Sequence, residues 1–264
     1  MSGIKRVGQA FSIEKDLKIM THVVGGYPDL PTSEAIVLLM ASMGVDLVEI
    51  QIPFSDPIAD GPVIVQANHQ ALANGVTTED VLEMTERLRK KTDIPLLLMS
   101  YINPIFAHGP EKIIERAAQN GIDGFIVPDY PIDEAEPPIA RLCREHGLAQ
   151  VPLIAPTTSD ERMQAIVREN DSPFVYAVLR LGVTGQKTEL KQDSIDYLQR
   201  IKEITGRYVA AGFGIAEKSQ LQALQGLADC AVIGSALLRA IQSAGEEKQD
   251  ILRTVRLFLE GVLD

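Results

Sequence analysis

Short apolar runs that alternate eight times with helical segments, glycines that close most of those helices, and an unbroken chain of 264 residues together predict a (β/α)8 TIM barrel. The runs are almost continuously apolar, as strands of a parallel sheet covered on both faces must be. A single domain over residues 1–264 accounts for them, because no Pro/Gly/Ser-rich linker divides the chain. An open doubly wound sheet is the alternative arrangement of the same units.

The elements follow in order. A segment around Ile4 to Phe11 reads as a short helix covering one end of the core. Lys18 to Val24 is the first strand; it ends at Gly25-Gly26-Tyr27-Pro28, after which Thr32 or Ser33 caps a helix running to about Met43. Gly44 closes that helix and strand two starts at Leu47. The next helix begins near Thr77, with Asp80 as its capping partner and Val81, Met84 and Leu88 on one face. Ile94 to Tyr101 is strand three. Helices Glu111 to Asn120, Ile132 to Glu145, Asp160 to Glu169, Asp193 to Ile204 and Glu217 to Leu224 then alternate with five strands. Those strands are Asp123 to Val127, Gln150 to Ile154, Phe174 to Leu179, Tyr208 to Ala211 and Cys230 to Ile233. A helix from about Glu247 to Leu263 ends the chain.

Composition narrows the function. At 45% hydrophobic residues the chain can bury a large core. A formal net charge of −11 disfavours nucleic acid and anionic membrane surfaces, which need basic patches. Cys143 and Cys230 lie far apart and lack metal-ligand spacing, so they read as reduced thiols of a cytoplasmic protein. The histidines (His22, His69, His108, His146) are scattered, no stretch near the N-terminus resembles a signal peptide, and no apolar run is long enough to span a bilayer.

Chemistry concentrates after the strands, where barrels of this class carry their sites. On strand two, side-chain alternation puts Glu49 on one face with Leu47 and Gln51, and Val48, Ile50 and Ile52 on the other, helix-covered face. Glu49 therefore faces the space the sheet encloses. Carboxyl groups among apolar neighbours are suited to proton transfer near neutral pH, although a purely structural acid satisfied by hydrogen bonds would look the same in sequence. Late in the chain, Gly212-Phe-Gly-Ile215 and Gly234-Ser-Ala-Leu237 read as glycine-opened helix starts in adjacent loops, a combination that binds phosphate without basic side chains. The polar loop Arg180 to Leu190 is long enough to act as a lid. Lys187 sits in that lid and Lys18 opens strand one at the wrong end, so a Schiff-base lysine is missing from the expected place. Asp56 and Asp60 have no histidines at ligand spacing, which disfavours a metal site. What remains is carboxylate acid/base chemistry on a phosphorylated substrate, with Glu49 and Asp60 as the leading pair.

Glu49 with Pro53-Phe-Ser-Asp-Pro-Ile-Ala-Asp-Gly-Pro62, Asn103-Pro104, Pro128-Asp129, Gly182-Val-Thr-Gly185, Gly212-Phe-Gly214 and Gly234-Ser235 resembles the tryptophan synthase alpha subunit family, in order from strand one to strand eight. The Pro-Phe-Ser-Asp-Pro…Ala-Asp-Gly-Pro stretch is the specific part; many phosphate-binding barrels share the glycine pairs. The resemblance implies reversible retro-aldol cleavage of indole-3-glycerol phosphate to indole and glyceraldehyde 3-phosphate, as the alpha subunit in tryptophan biosynthesis. It gives Glu49 the proton transfers and Asp60 the ring nitrogen. It places phosphate on the amides of Gly185, Gly214, Gly234 and Ser235, puts Tyr176, Ile154 and Phe213 near the substrate or around the indole, and assigns Thr184 to a lid closing on the Asp60 loop. It also implies a pyridoxal-phosphate beta subunit as partner, in an alpha2beta2 heterotetramer, docked on the Asp56-Pro57 loop and the Asn103 to Phe106 segment, with no cofactor in this chain.

Four residues depart from that family's pattern: Gln51 stands for the usual glycine, His22 for Tyr or Phe, Val24 for Thr and Leu179 for Ser. Gln51, two residues from Glu49 on its own face, would hydrogen-bond Glu49 or crowd the indole; His22 reads as a barrel-lining residue. A stand-alone indole-3-glycerol phosphate lyase, or a low-activity paralogue serving as a regulatory or binding subunit, are the alternatives.

Overall fold

The computed structural model of the chain describes residues 1–131, 138–178, 191–212 and 214–263. Within them the strands are β1 (Lys18–Val24), β2 (Leu47–Gln51), β3 (Leu96–Met99), β4 (Gly124–Ile126), β5 (Ala149–Val151), β6 (Leu153–Ile154), β7 (Phe174–Val178), β8 (Tyr208–Gly212) and β9 (Cys230–Ile233). They form one sheet in the order β5-β4-β3-β2-β1-β9-β8-β7-β6, with parallel pairing throughout. The two outer members, β5 and β6, are consecutive in the chain and separated by Pro152 alone, so the sheet curls into a (β/α)8 TIM barrel.

Pro152 also explains why nine segments stand where eight strands are expected. It has no N–H for a ladder, and the expected strand Gln150 to Ile154 therefore divides: β5 pairs with β4, β6 with β7. The Pro152 carbonyl still accepts from Tyr176 N at 2.9 Å.

The helices are α1 (Gly3–Ser12), α2 (Leu30–Ser42), α3 (Pro62–Ala73), α4 (Thr78–Arg89), α5 (Ile102–His108), α6 (Pro110–Gln119), α7 (Ile139–Glu145), α8 (Asp160–Arg168), α9 (Gln192–Thr205), α10 (Lys218–Leu224), α11 (Ser235–Glu246) and α12 (Ile251–Leu263). Thr77 and Asp80 cap α4 reciprocally, as expected. Three expectations need correcting. Asp29, not Thr32 or Ser33, caps α2, accepting from Thr32 N at 2.8 Å. Helices α3 and α5 are additional to the expected elements; proline near a helix start is compatible with the first turn and only the interior excludes it. The last helix starts at Ile251 rather than Glu247 and follows a separate helix, α11.

Alternation sorts the strand side chains into two cores. Val48, Ile50 and Ile52 join the large cluster beneath the helices. Met20, Leu47, Leu97, Met99, Phe174, Ala210 and Cys230 fill the barrel interior. The interior is sealed at the N-terminal end of the strands by α1, whose Val7 and Phe11 belong to the inner cluster. The Phe11 ring lies 5.0 Å from both Phe174 and Tyr208. The opposite end is left for chemistry.

Candidate active site

The site grows out of β2. Leu47, Glu49 and Gln51 share its inner face, and the register pairs Glu49 with His22 of β1 and Leu97 of β3. Glu49 is only 4% exposed and Gln51 not at all. Beyond β2 the chain turns back over the barrel mouth. Asn68 of α3 pins this return: its Oδ1 accepts from Phe54 N at 2.9 Å while its Nδ2 donates to Ile64 O at 2.8 Å. The return ends in a tight turn, Asp60 N donating to Pro57 O at 3.0 Å, that drops the Asp60 carboxylate into the interior at 7% exposure.

A continuous polar chain then links the two acids. His22 Nδ1 lies 3.3 Å from Glu49 Oε2, and His22 Nε2 lies 3.1 Å from Gln51 Oε1. Gln51 Nε2 donates to Asp60 Oδ2 at 2.8 Å, and Tyr101 OH donates to the same oxygen at 3.0 Å. Gln51 thus bridges His22 and Asp60 instead of bonding Glu49 directly, which replaces the expected contact with one made through the imidazole. His22 lines the barrel as expected and also touches Glu49.

Electrostatics follow from this burial. Burial alone would lower the His22 pKa, but Glu49, Asp60 and the Gln51 hydrogen bond together raise it above its ordinary 6.5. Burial pushes the Asp60 carboxyl up, against the pull of His22, Gln51 and Tyr101. Tyr176, on the inner face of β7, is held far above the usual phenol range by burial, with Glu49, Cys230 and Asp60 adding to it. It therefore stays a neutral hydroxyl.

Across the mouth, β8 and β9 end side by side. Gly212 is required there: a Cβ would stand 2.9 Å from the Tyr176 ring. Gly214 has φ +63°, a left-handed conformation that suits glycine. Gly234 is the N-cap and Ser235 the first residue of the twelve-residue α11, whose leading N–H groups have no intrahelical acceptors. Contrary to the reading of a helix start here, Gly214 and Ile215 open no helix; α10 starts later, capped by Glu217 and Gln220.

The structure brings Glu49, Asp60, Tyr176, Gly214, Gly234 and Ser235 to the same end of the barrel. Thr184, Gly185 and Phe213 lie outside the described residues, as do the lid residues Arg180 and Lys187 and the departure at Leu179. Ile154 is corrected: it pairs with Ala177 and packs in the helix-side cluster, whereas Leu153, paired with inward Tyr176, packs on the inner cluster. The break at Pro152 sets this phase. On the outer rim Asp56 and Asn103 are exposed, Phe106 is 53% and Ile58 75% exposed, while Pro57 is buried. Asp129 secures that rim by accepting from Ile102 N at 2.9 Å, at the start of α5. Tyr101 is a site residue that the sequence does not signal; His22 and Gln51 are signalled there only as departures from the family pattern, without the bond of Gln51 to Asp60.

The family profile described as tryptophan synthase alpha chain matches residues 9–262. This chain belongs to the tryptophan synthase alpha chain family. A tryptophan synthase alpha chain of Syntrophotalea carbinolica is 42% identical over 88% of this chain and 91% of its own length. That of Carboxydothermus hydrogenoformans is 38% identical over 98% and 97%. Among solved structures, the tryptophan synthase subunit alpha of Legionella pneumophila strain Paris superimposes with a TM-score of 0.88 at 31% identity, covering 99% of this chain and 97% of that one. In the tryptophan synthase alpha family no cofactor is needed, pyridoxal phosphate belonging to the beta subunit. No helix among the described residues is long and apolar enough to cross a membrane, and none of their acid, histidine or cysteine clusters could hold a metal.

Proposed function

We propose that this chain is a carbon–carbon lyase that cleaves indole-3-glycerol phosphate reversibly to indole and glyceraldehyde 3-phosphate in tryptophan biosynthesis. The observation that carries the reading is the pair of inward, buried carboxylates at the C-terminal end of β2, at the same mouth as the open N-terminus of α11, which lies beyond β1. Phosphate docks on the α11 amides at Gly234 and Ser235 and beside Gly214, which aims the indole toward β2. Glu49, as its carboxylic acid, gives a proton to the ring carbon that bears the side chain. Positive charge then appears at the ring nitrogen, where the Asp60 carboxylate stabilises it. The glycerol hydroxyl next to the ring gives its proton to the Glu49 carboxylate, its C–O bond becomes the aldehyde carbonyl, and the carbon–carbon bond breaks with its electron pair returning to the ring. Indole leaves and Glu49 ends protonated, as it began. Tyr176 and Leu153 supply the inner wall beside the substrate.

The beta subunit is the partner, and the rim of Asp56, Ile58, Asn103 and Phe106 is its docking surface in an alpha2beta2 assembly of the cytoplasm. Two exposed apolar side chains, Ile58 and Phe106, on an acidic protein suit such a contact. Indole release by the purified chain, with and without a beta subunit, tests the reading. Activation by the partner supports it, strong activity alone indicates a stand-alone lyase, and silence in both indicates a binding subunit.

A further inference from the structure

The Glu49–His22–Gln51–Asp60 chain fixes where protons can sit. Tyr101 OH accepts from Ala59 N at 3.0 Å, which leaves its own hydrogen to donate to Asp60 Oδ2. That oxygen also meets one end of the Gln51 amide at 2.8 Å. With Asp60 as its carboxylate, that oxygen has no hydrogen to give and only accepts, so the NH2 end of Gln51 faces Asp60. The carbonyl end then faces His22 Nε2 at 3.1 Å, and a carbonyl only accepts. His22 Nε2 therefore carries a hydrogen.

The other ring nitrogen has two options. Beside Glu49 Oε2 at 3.3 Å, Nδ1 either accepts from the carboxylic acid or, as imidazolium, donates to the carboxylate. Either way one proton lies between Glu49 and His22. The ring cannot swing away: it is 5% exposed, and the Cα of Gly234 backs it so closely that an added Cβ would stand 3.3 Å from His22 Cβ. Among the described residues, the titratable groups facing this pair are Asp60 from the return loop and Tyr176 from β7, with Tyr101 behind Asp60; burial raises both tyrosines, so they are neutral and Asp60 is the one other charge among them.

We propose that His22 is a positioning residue that stores the acid proton for Glu49, with Gln51 locking the imidazole in the Nε2–H form against Asp60. The catalytic consequence rests on the lyase reading above; the proton assignment does not. With His22 present, the proton that Glu49 delivers is held by a carboxyl–imidazole pair up to a higher pH than a carboxyl group alone retains it. The raised His22 pKa agrees with this geometry.

The test combines two measurements. In the ligand-free, 15N-histidine-labelled chain, His22 should show a protonated Nε2 at all pH values from 6 to 9, with Nδ1 losing its proton coupling only above the ordinary histidine range. In Gln51→Met, which keeps the volume and removes both bonds, that Nε2–H preference should be lost. For indole release, His22→Phe should move the alkaline limb of the kcat profile down by about one pH unit, which is about tenfold in rate on that limb, with KM little changed; Gln51→Met should move it in the same direction by less. An Nδ1–H tautomer in the unsubstituted chain, or an unmoved alkaline limb in His22→Phe, overturns the proposal. Absence of indole release from the unsubstituted chain and every variant, both with and without a beta subunit, with the Nε2–H signature intact, overturns the lyase reading and leaves the proton assignment standing.

Discussion

Both ends of the barrel bury carboxylates, and the groups that answer them differ. At the N-terminal end, Asp123 is completely buried and accepts from Leu96 N at 2.8 Å, from Arg89 Nη2 at 2.7 Å and from Arg6 of α1. At the C-terminal end, Glu49 and Asp60 face His22, Gln51 and Tyr101, and no arginine or lysine among the described residues pairs with either acid. Burial pushes both Asp123 and Asp60 upward, so the direction of a pKa does not separate structure from chemistry. The partners do. Arginine stays charged at every relevant pH and locks an ionised acid, whereas imidazole, amide and hydroxyl leave a proton free to move. One end is closed by fixed charge; the other keeps a titratable one.

Substitutions can break this contrast from either side. Asp123→Ala should cost about 3–5 kcal/mol of stability, because it leaves Arg6 and Arg89 without their shared acid; chemical denaturation would read it, and indole release well below the melting transition should be unchanged. Asp60→Asn should do the reverse, lowering kcat about a hundredfold while shifting stability by under about 1 kcal/mol. Gly212→Ala forces a methyl against the Tyr176 ring and should raise KM by roughly tenfold, the equivalent of the lower end of overpacking costs; substrate titration checks it. The smallest effect is in the pH dependence of stability. The His22 pKa is raised on folding, so its contribution is fully present below the unfolded value near 6.5 and fades as pH rises through the folded value. The stability difference between the unsubstituted chain and His22→Phe should therefore shrink from pH 6.5 upward, as urea unfolding at stepped pH would show.

Much of this was legible in the residues. Apolar runs and closing glycines announce the barrel, and period-two alternation alone turns Glu49 inward. The weakly patterned segment near Ile4 to Phe11 proves to be the plug, since Val7 and Phe11 find their partners only once the barrel exists. Helices α3 and α5, each with a proline in its first turn, were not expected at all, and Pro152 hid a change of phase that exchanged Ile154 for Leu153 on the inner wall. The polar chain from Glu49 to Asp60 could not be read at all. It depends on the register that sets His22 against Glu49 and on a return loop pinned by Asn68, both of them contacts between distant residues.

In the proposed reaction Glu49 is the group that moves the protons. The most direct test of this role is kcat for indole release from saturating indole-3-glycerol phosphate by Glu49→Gln, with the melting temperature taken on the same sample. Loss by about a thousandfold or more, at a melting temperature within a few degrees of the unsubstituted chain, is the predicted result. Turnover within about tenfold of normal would contradict it.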